Sequence, residues 1–350
     1  MLMTGSPLRR SGASRIFGVA LALAVAAVGA AWFYFWSLAA SQTEAVLTSW
    51  IAQEAQVGRQ WSCPQRRIGG FPFSVEVSCP ALGFEGAILD RSFSGSVGSF
   101  RAASGVFDPQ RVEIRIEPPF TARTHEGDHF SLQWRHLQLQ IEGGSEQAPR
   151  LTLDGAGLAL TGSTAAGAPI EAAAETAQAT LAPTPGAEAA QEVSITLKGV
   201  TAPPLSNAFA LRAPLDATVS AVVVGAGLAG SGDLFDRVER WRVEGGRIDV
   251  KSARLVSGTA ELKATGSLYI DEGRRPRGEL DASLRGLDPV LRRFGVNPGL
   301  IAAGSLLTSL LKGPPAKEEA PQAIHLPLRV ADGYVSIGPI RTSLRLPALY

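Results

Sequence analysis

Hydrophobic and polar positions follow three successive patterns along the chain. Ile16 to Phe35 carries no charge and is almost wholly apolar, and it runs into the aromatic cluster Trp32-Phe33-Tyr34-Phe35-Trp36. Twenty residues at about 1.5 Å each match a hydrocarbon core of roughly 30 Å. Between Thr43 and Gln60, Val46, Leu47, Trp50, Ile51, Ala55 and Val57 recur at near-helical spacing, which predicts a short amphipathic helix. From residue 73 onward the period is two. Val112, Ile114 and Ile116 alternate with Arg111, Glu113, Arg115 and Glu117, and Ala260, Leu262 and Ala264 alternate with Glu261, Lys263 and Thr265. Similar runs at Val193–Leu197, Ile248–Val250, Leu280–Leu284, Ile324–Val330 and Val335–Ile337 each describe a strand with one apolar and one wetted face.

Glycines stand between these runs, as at 155, 245–246, 258, 273, 278, 286 and 333, and short connections of that kind favour antiparallel hairpins. In Leu132, Trp134, then Leu137, Leu139, Ile141, the phase slips by one, which predicts a β-bulge near Arg135-His136. Beyond residue 73 helix is expected only at Asp233–Trp241 and, broken at Asn297-Pro298-Gly299, over Asp288–Lys312. The fold class is therefore mainly β: an N-terminal transmembrane helix, then an extended, antiparallel, meandering sheet with a few short helices. The expected organisation is a tail over 1–15, an anchor over 16–36, a juxtamembrane helix over 37–60 and a β domain over 61–350. Residues 161–192, rich in Ala, Thr, Pro and Glu, and 313–321, rich in Pro, Lys and Glu, read as flexible insertions, although Ala177, Ala179 and Leu181 would allow a poor strand.

Charge fixes the expected orientation. Arg9, Arg10 and Arg15 precede the apolar span and no basic residue follows until Arg59, so the N-terminus is expected in the cytoplasm and the body outside it. Ser37-Leu38-Ala39 would suit signal cleavage, but the apolar run exceeds the roughly 7–15 residues of a signal peptide core. With 33 basic and 32 acidic residues the chain has no electrostatic footprint for nucleic acid.

The two cysteines, Cys63 and Cys79, flank Arg66-Arg67-Ile68-Gly69-Gly70-Phe71-Pro72 and the alternating Phe73–Ser78. Folding this segment about its middle sets them opposite one another, and an exported location favours a structural disulfide. Metal ligation or a redox pair is less suited, because two cysteines make half a zinc site and lack C-x-x-C spacing.

Candidate chemistry is sparse. His125-Glu126-Gly127-Asp128-His129 matches H-E-x-x-H, but it lies between Pro118-Pro119 and a strand-like Phe130–Trp134, and Gly127-Asp128 suits a turn. Gly225-x-Gly227-x-x-Gly230 has the letters of a dinucleotide loop without the helix or βαβ spacing around it. Arg274-Arg275-Pro276-Arg277 reads as a solvated turn, with anionic lipid headgroups or a protein partner as the other candidates. No catalytic residue, metal or cofactor is expected. Many one-sided strands with few helices to cover them must close on themselves or form a trough. A trough beside a membrane would suit acyl chains, at about 0.8 kcal/mol per buried CH₂. Its expected lining is Ile114, Ile116, Leu139, Ile248, Val250, Leu262, Leu268, Leu280 and Leu284. The competing expectation is a periplasmic scaffold or interaction module with a packed core and no ligand.

Trp61-x-Cys63-Pro64-x-Arg66-Arg67-Ile68-Gly69-Gly70-Phe71-Pro72-Phe73, ending at Cys79, resembles the signature of an alphaproteobacterial envelope family, domain of unknown function 2125. Leu326-Pro327-Leu328-Arg329-Val330-Ala331-Asp332-Gly333-Tyr334-Val335 and Trp241-Arg242-Val243-Glu244-Gly245-Gly246-Arg247-Ile248 resemble its later strands. The resemblance implies a single-pass inner-membrane protein with a periplasmic β body and brings no catalytic residues. More distantly, the glycine-bounded strands resemble AsmA-type envelope proteins, which implies a groove and lipid handling.

Overall fold

The computed structural model describes residues 12–88, 91–143, 148–187, 189–211, 213–226, 234–286, 290, 292, 324–338 and 340–350. It opens with α1 (Gly12–Gln56), one unbroken helix of 45 residues. The expected separation into an anchor and a juxtamembrane helix at residue 37 is absent. Nothing between Gly29 and Gly58 is glycine or proline, so nothing interrupts the i→i−4 ladder. Gly58, at φ +78°, supplies the left-handed residue that ends it, and its N–H reaches the Ala55 carbonyl at 3.1 Å. The helix is long and apolar enough to cross a membrane. Every residue from Ile16 to Ala31 is exposed, on all sides of the helix.

The remaining elements form one antiparallel sheet. It begins with β1 (Gln60–Ser62), β2 (Arg67–Gly69), β3 (Ser74–Cys79), β4 (Leu82–Ile88), β5 (Arg91–Gly105) and β6 (Asp108–Thr124). Then come β7 (His129–Gln133), β8 (His136–Glu142), β9 (Arg150–Ser163), β10 (Pro169–Pro183), β11 (Ala190–Val200) and β12 (Leu215–Val224). The last are β13 (Arg247–Ser257), β14 (Ala260–Ile270), β15 (Pro276–Arg285), β16 (Ile324–Ala331), β17 (Tyr334–Ile337) and β18 (Ile340–Arg345). Two short helices interrupt them, α2 (Pro203–Phe209) and α3 (Leu234–Val243).

The long β5 pairs with β4 along its first half and β3 along its second, while β1 and β2 extend those two strands outward. On its other side lies β6, which β7 and β8 share end to end before β9. From β9 to β18 each strand pairs with the next, a continuous meander.

The predicted bulge is present. Leu132 pairs with Phe120 and Gln138 with Arg115, so six steps on β7–β8 oppose five on β6. Trp134 sits in the gap, buried, and its Nε1 donates to the Ile116 carbonyl at 2.8 Å. The expected insertion over 161–192 instead holds the end of β9, all of β10 and the start of β11. Alanine-rich β10 has low intrinsic strand preference, but full ladders on both sides impose the conformation. The helices expected over Asp288–Lys312 and the insertion at 313–321 lie outside the described residues, as do Gly227 and Gly230.

Register places the apolar residues of successive strands in line. Val77 pairs with Ala102, Ala102 with Ile114, Ile114 with Leu139 and Leu139 with Leu153. The row continues through Ala179, Ile195, Val219, Ala253, Ala264 and Ala282 to Leu326. At about 4.8 Å per strand it spans roughly 50 Å without a polar side chain. Parallel rows flank it, one through Ile141, Leu151, Leu181, Val193, Ala221, Val250 and Leu280, the other through Leu137, Ala177, Leu197, Leu255, Leu262 and Leu284. The opposite face carries Gln178, Thr196, Thr218, Arg254 and Lys263 in register.

This apolar face is only partly covered. Among the described residues twelve hydrophobic side chains are buried, six of them alanines, and Ile195 in the central row is 37% exposed. The face closes locally near the C-terminus, where Leu284 packs under Leu262, Leu326, Ile337 and Ile340.

Candidate functional site

At its N-terminal end the apolar face runs into a cleft of about 750 Å³. One wall is the stripe Leu47, Trp50, Ile51 and Glu54 of α1, spaced to share one side of a helix. The floor is Val77 and Cys79 of β3, Leu82 and Phe84 of β4, Phe93, Val97 and Phe100 of β5, and Ile116 and Phe120 of β6. Leu234 and Arg237 of α3 complete the lining, although α3 follows β12, far along the meander from β5. The volume lies within the range of small-molecule sites, roughly 300–1,000 Å³.

Aromatic rings set the shape of the α1 side. Trp50 lies 5.7 Å from Trp61, Trp61 4.7 Å from Phe84, and Phe84 4.9 Å from Phe93. That chain depends on β1 pairing with β4 across the intervening β2–β3 hairpin, which sets Trp61 opposite Phe84. Glu54 accepts from Arg59 Nε at 2.7 Å and from Trp61 Nε1 at 3.3 Å, so the acid at the rim is paired. Arg66 is ion-paired with Glu44 of α1 and also reaches Thr48 Oγ1 at 3.2 Å.

Cys63 and Cys79 are disulfide-bonded, with Cα atoms 5.9 Å apart, and both sulfurs' residues line the cleft. Closing a loop of about 15 residues contributes about 3 kcal/mol, so Cys63→Ser with Cys79→Ser is expected to lower unfolding stability by about that amount in a denaturant titration. Free-thiol labelling of the denatured, unreduced wild type should find none; two reactive thiols would contradict the pairing.

Helix α3 is fastened at two points. Trp241 is 3% exposed, and its Nε1 donates to the Val224 carbonyl at 2.9 Å. At the other, Glu239 accepts from Arg242 at 2.7 Å and from the Tyr350 hydroxyl at 2.9 Å, while Phe235 meets Tyr350 edge-on at 5.2 Å. The hydrogen bond from Arg242 holds the Glu239 carboxyl down at about 2, with partial burial opposing and the Tyr350 hydroxyl adding to the shift. Because the folded value lies below the unfolded one, near 4.5, this fastening is at full strength above pH 4.5, weakens below it and is lost below about 2. Amide exchange over residues 234–243 and 346–350, corrected for intrinsic rates, should accelerate as pH falls through that window. Glu239→Gln should be fast already at pH 5 and flat across it.

Of the expected lining residues, Ile116 reaches the cleft. Ile114, Leu139, Val250 and Leu280 lie on the open rows, Leu262 packs against Leu284 where the face closes, and Ile248 pairs with Leu268 one step beyond. Leu284 is buried under its own cluster. The aromatic wall and the Leu47–Glu54 stripe carry no mark of a site in the sequence, since only tertiary pairing brings them together.

The other motifs resolve into structure. His125–Asp128 is the turn between β6 and β7 and His129 opens β7, with Gly127 at φ +103° and the Thr124 N–H bonded to the Asp128 carbonyl at 2.9 Å. Among the described residues no group of three or more His, Cys, Asp or Glu is placed to hold a metal. β12 and β13, which flank the Gly225 motif, are antiparallel, not the parallel pair of a dinucleotide fold. Arg274 lies over the Phe235 ring at 4.9 Å, and Arg275 faces Asp271 at 3.6 Å.

A family profile described as an uncharacterized protein conserved in bacteria (DUF2125) matches residues 36–343, which take in the disulfide hairpin, the sheet as far as the middle of β18 and the C-terminal half of α1. The chain belongs to the DUF2125 family. No curated protein and no solved structure matches it. Within the family match fall all three walls of the cleft and the whole of the apolar row from Val77 to Leu326; the apolar stretch before residue 36 lies outside it.

Proposed function

We propose that this DUF2125 protein is a non-enzymatic, single-pass inner-membrane protein that shelters phospholipid or other acyl chains on its apolar sheet face. In this reading the N-terminus is cytoplasmic, as the arginines before the span favour, and the β body is periplasmic and serves the lipid economy of the cell envelope. The observation that carries the reading is the unbroken apolar row from Val77 to Leu326, partly exposed from Ala102 to Ala253 and continuous at Val77 with a 750 Å³ cleft walled by the anchor helix itself. A face of that extent left open to water is unfavourable at about 25 cal/mol per Å², and acyl chains are the apolar material a membrane-attached protein meets most. The likeness of the strands to AsmA-type proteins points the same way, as a fold-level analogy.

The competing reading, a scaffold with a closed core, has local support in the packed cluster around Leu284. Native mass spectrometry of the full chain, released from nanodiscs with enough activation to strip annular lipid, separates the two. Retained phospholipid at fixed stoichiometry supports the groove. A bare protein mass, unchanged by added phospholipid, supports the scaffold.

A further inference from the structure

Two turns at one end of the strands lie against the aromatic end of the apolar helix. Trp32 and Trp36, one turn apart on α1, donate their indole N–H groups to the carbonyls of Pro72 at 2.9 Å and Ser74 at 2.7 Å. Phe71, in the β2–β3 turn, meets Phe33 at 5.5 Å and Trp36 at 5.6 Å. Phe107, in the β5–β6 turn, stacks on Trp32 at 5.6 Å. The Val106 N–H bonds to the Phe73 carbonyl at 2.9 Å and so ties the two turns together.

Despite these contacts Phe71 is 48%, Phe73 67% and Phe107 78% exposed. No charge occurs between Arg67 and Glu76 or between Arg101 and Asp108. Large exposed rings on two uncharged turns are costly in water but suited to the headgroup boundary, where an aromatic ring is half wet. The rings of α1 beside them stand where its apolar run ends, which is the depth of that boundary.

We propose that the Phe71–Phe73 turn and Phe107 insert into the lipid interface beside α1, giving the body three points of contact with the membrane surface. The body is then seated on the bilayer by its strand ends, not tethered at a distance. The fixed seat also sets a height. Fourteen residues separate Trp36 from Trp50, so the cleft opens about 21 Å from the interface. A phospholipid would leave the bilayer to enter it. The proposal depends on α1 spanning the membrane and is independent of whether the cleft holds lipid.

The test uses the full chain in phosphatidylcholine–phosphatidylglycerol vesicles, with an NBD fluorophore on one introduced thiol, the native cysteines being disulfide-bonded. Phe73→Cys and Phe107→Cys report the turns. Ala166→Cys reports the β9–β10 turn at the opposite strand ends, and Val25→Cys the middle of the helix, read with lipids carrying a doxyl group deep in the acyl chain. Expected are blue-shifted emission at 73 and 107 and its loss with lipids carrying a doxyl group near the headgroup, with position 166 unaffected. Phe73 makes no ring contact among those described, so that label reads the interface even if Phe107→Cys perturbs its stack on Trp32. Unquenched labels at 73 and 107 beside a quenched label at 25 would overturn the proposal, including the case in which these rings meet a protein instead. An unquenched label at 25 would remove the span and the proposal with it.

Discussion

Ile195→Asp is expected to strip bound acyl ligand from the protein while leaving its fold intact. Ile195 sits mid-row between Ala179 and Val219 and is 37% exposed, so a carboxylate there keeps much of its hydration in the ligand-free protein. Its cost to folding should stay near the roughly 1 kcal/mol span of strand preferences. Under an acyl chain the same carboxylate would be desolvated, at a cost of several kcal/mol. Since each 1.4 kcal/mol is tenfold in occupancy, retained phospholipid should fall by at least about tenfold. The measurement is lipid per protein by mass spectrometry, read beside a thermal melt. Unchanged lipid with an unchanged melt would remove the sheet face from any ligand path.

Trp241→Ala should give the largest loss of stability. The side chain is buried against Gly225 and Gly246, and its Nε1 satisfies the last carbonyl of β12. Truncating such a residue costs about 3–5 kcal/mol, and the Val224 carbonyl is left without its partner. Gly246→Ala attacks the contact from the other side, because a Cβ there would overlap the indole ring. Both variants should unfold at lower denaturant, and both should loosen α3, whose Leu234 and Arg237 line the cleft. A Trp241→Ala midpoint within error of the wild type would contradict the burial described here.

The strands were legible because a one-sided sheet writes its faces into alternate residues, and the bulge near Arg135 was legible because it breaks that alternation. β10 was not, since Ala172, Ala174, Ala177 and Ala179 have little strand preference of their own and are held by β9 and β11. The apolar run stops near Phe35, which predicts two helices where α1 is one. The backbone has no reason to stop there, and the first left-handed glycine after the run is Gly58. Of the candidate site, the open rows were visible as periodicity. The cleft was not, because Trp50, Trp61, Phe84 and Phe93 meet only through the β1–β4 pairing and the packing of α1.

The central claim is that acyl chains lie on the apolar face, and photo-crosslinking in living cells tests it most directly. A benzoyl-phenylalanine at Ile195 faces the row, while one at Ser194, the preceding residue, faces the other side of the same strand. After irradiation and purification, the account requires a phospholipid-sized mass on the Ile195 protein and none on the Ser194 protein. Equal labelling of both, or of neither while a Val25 control in the apolar helix crosslinks, would contradict it.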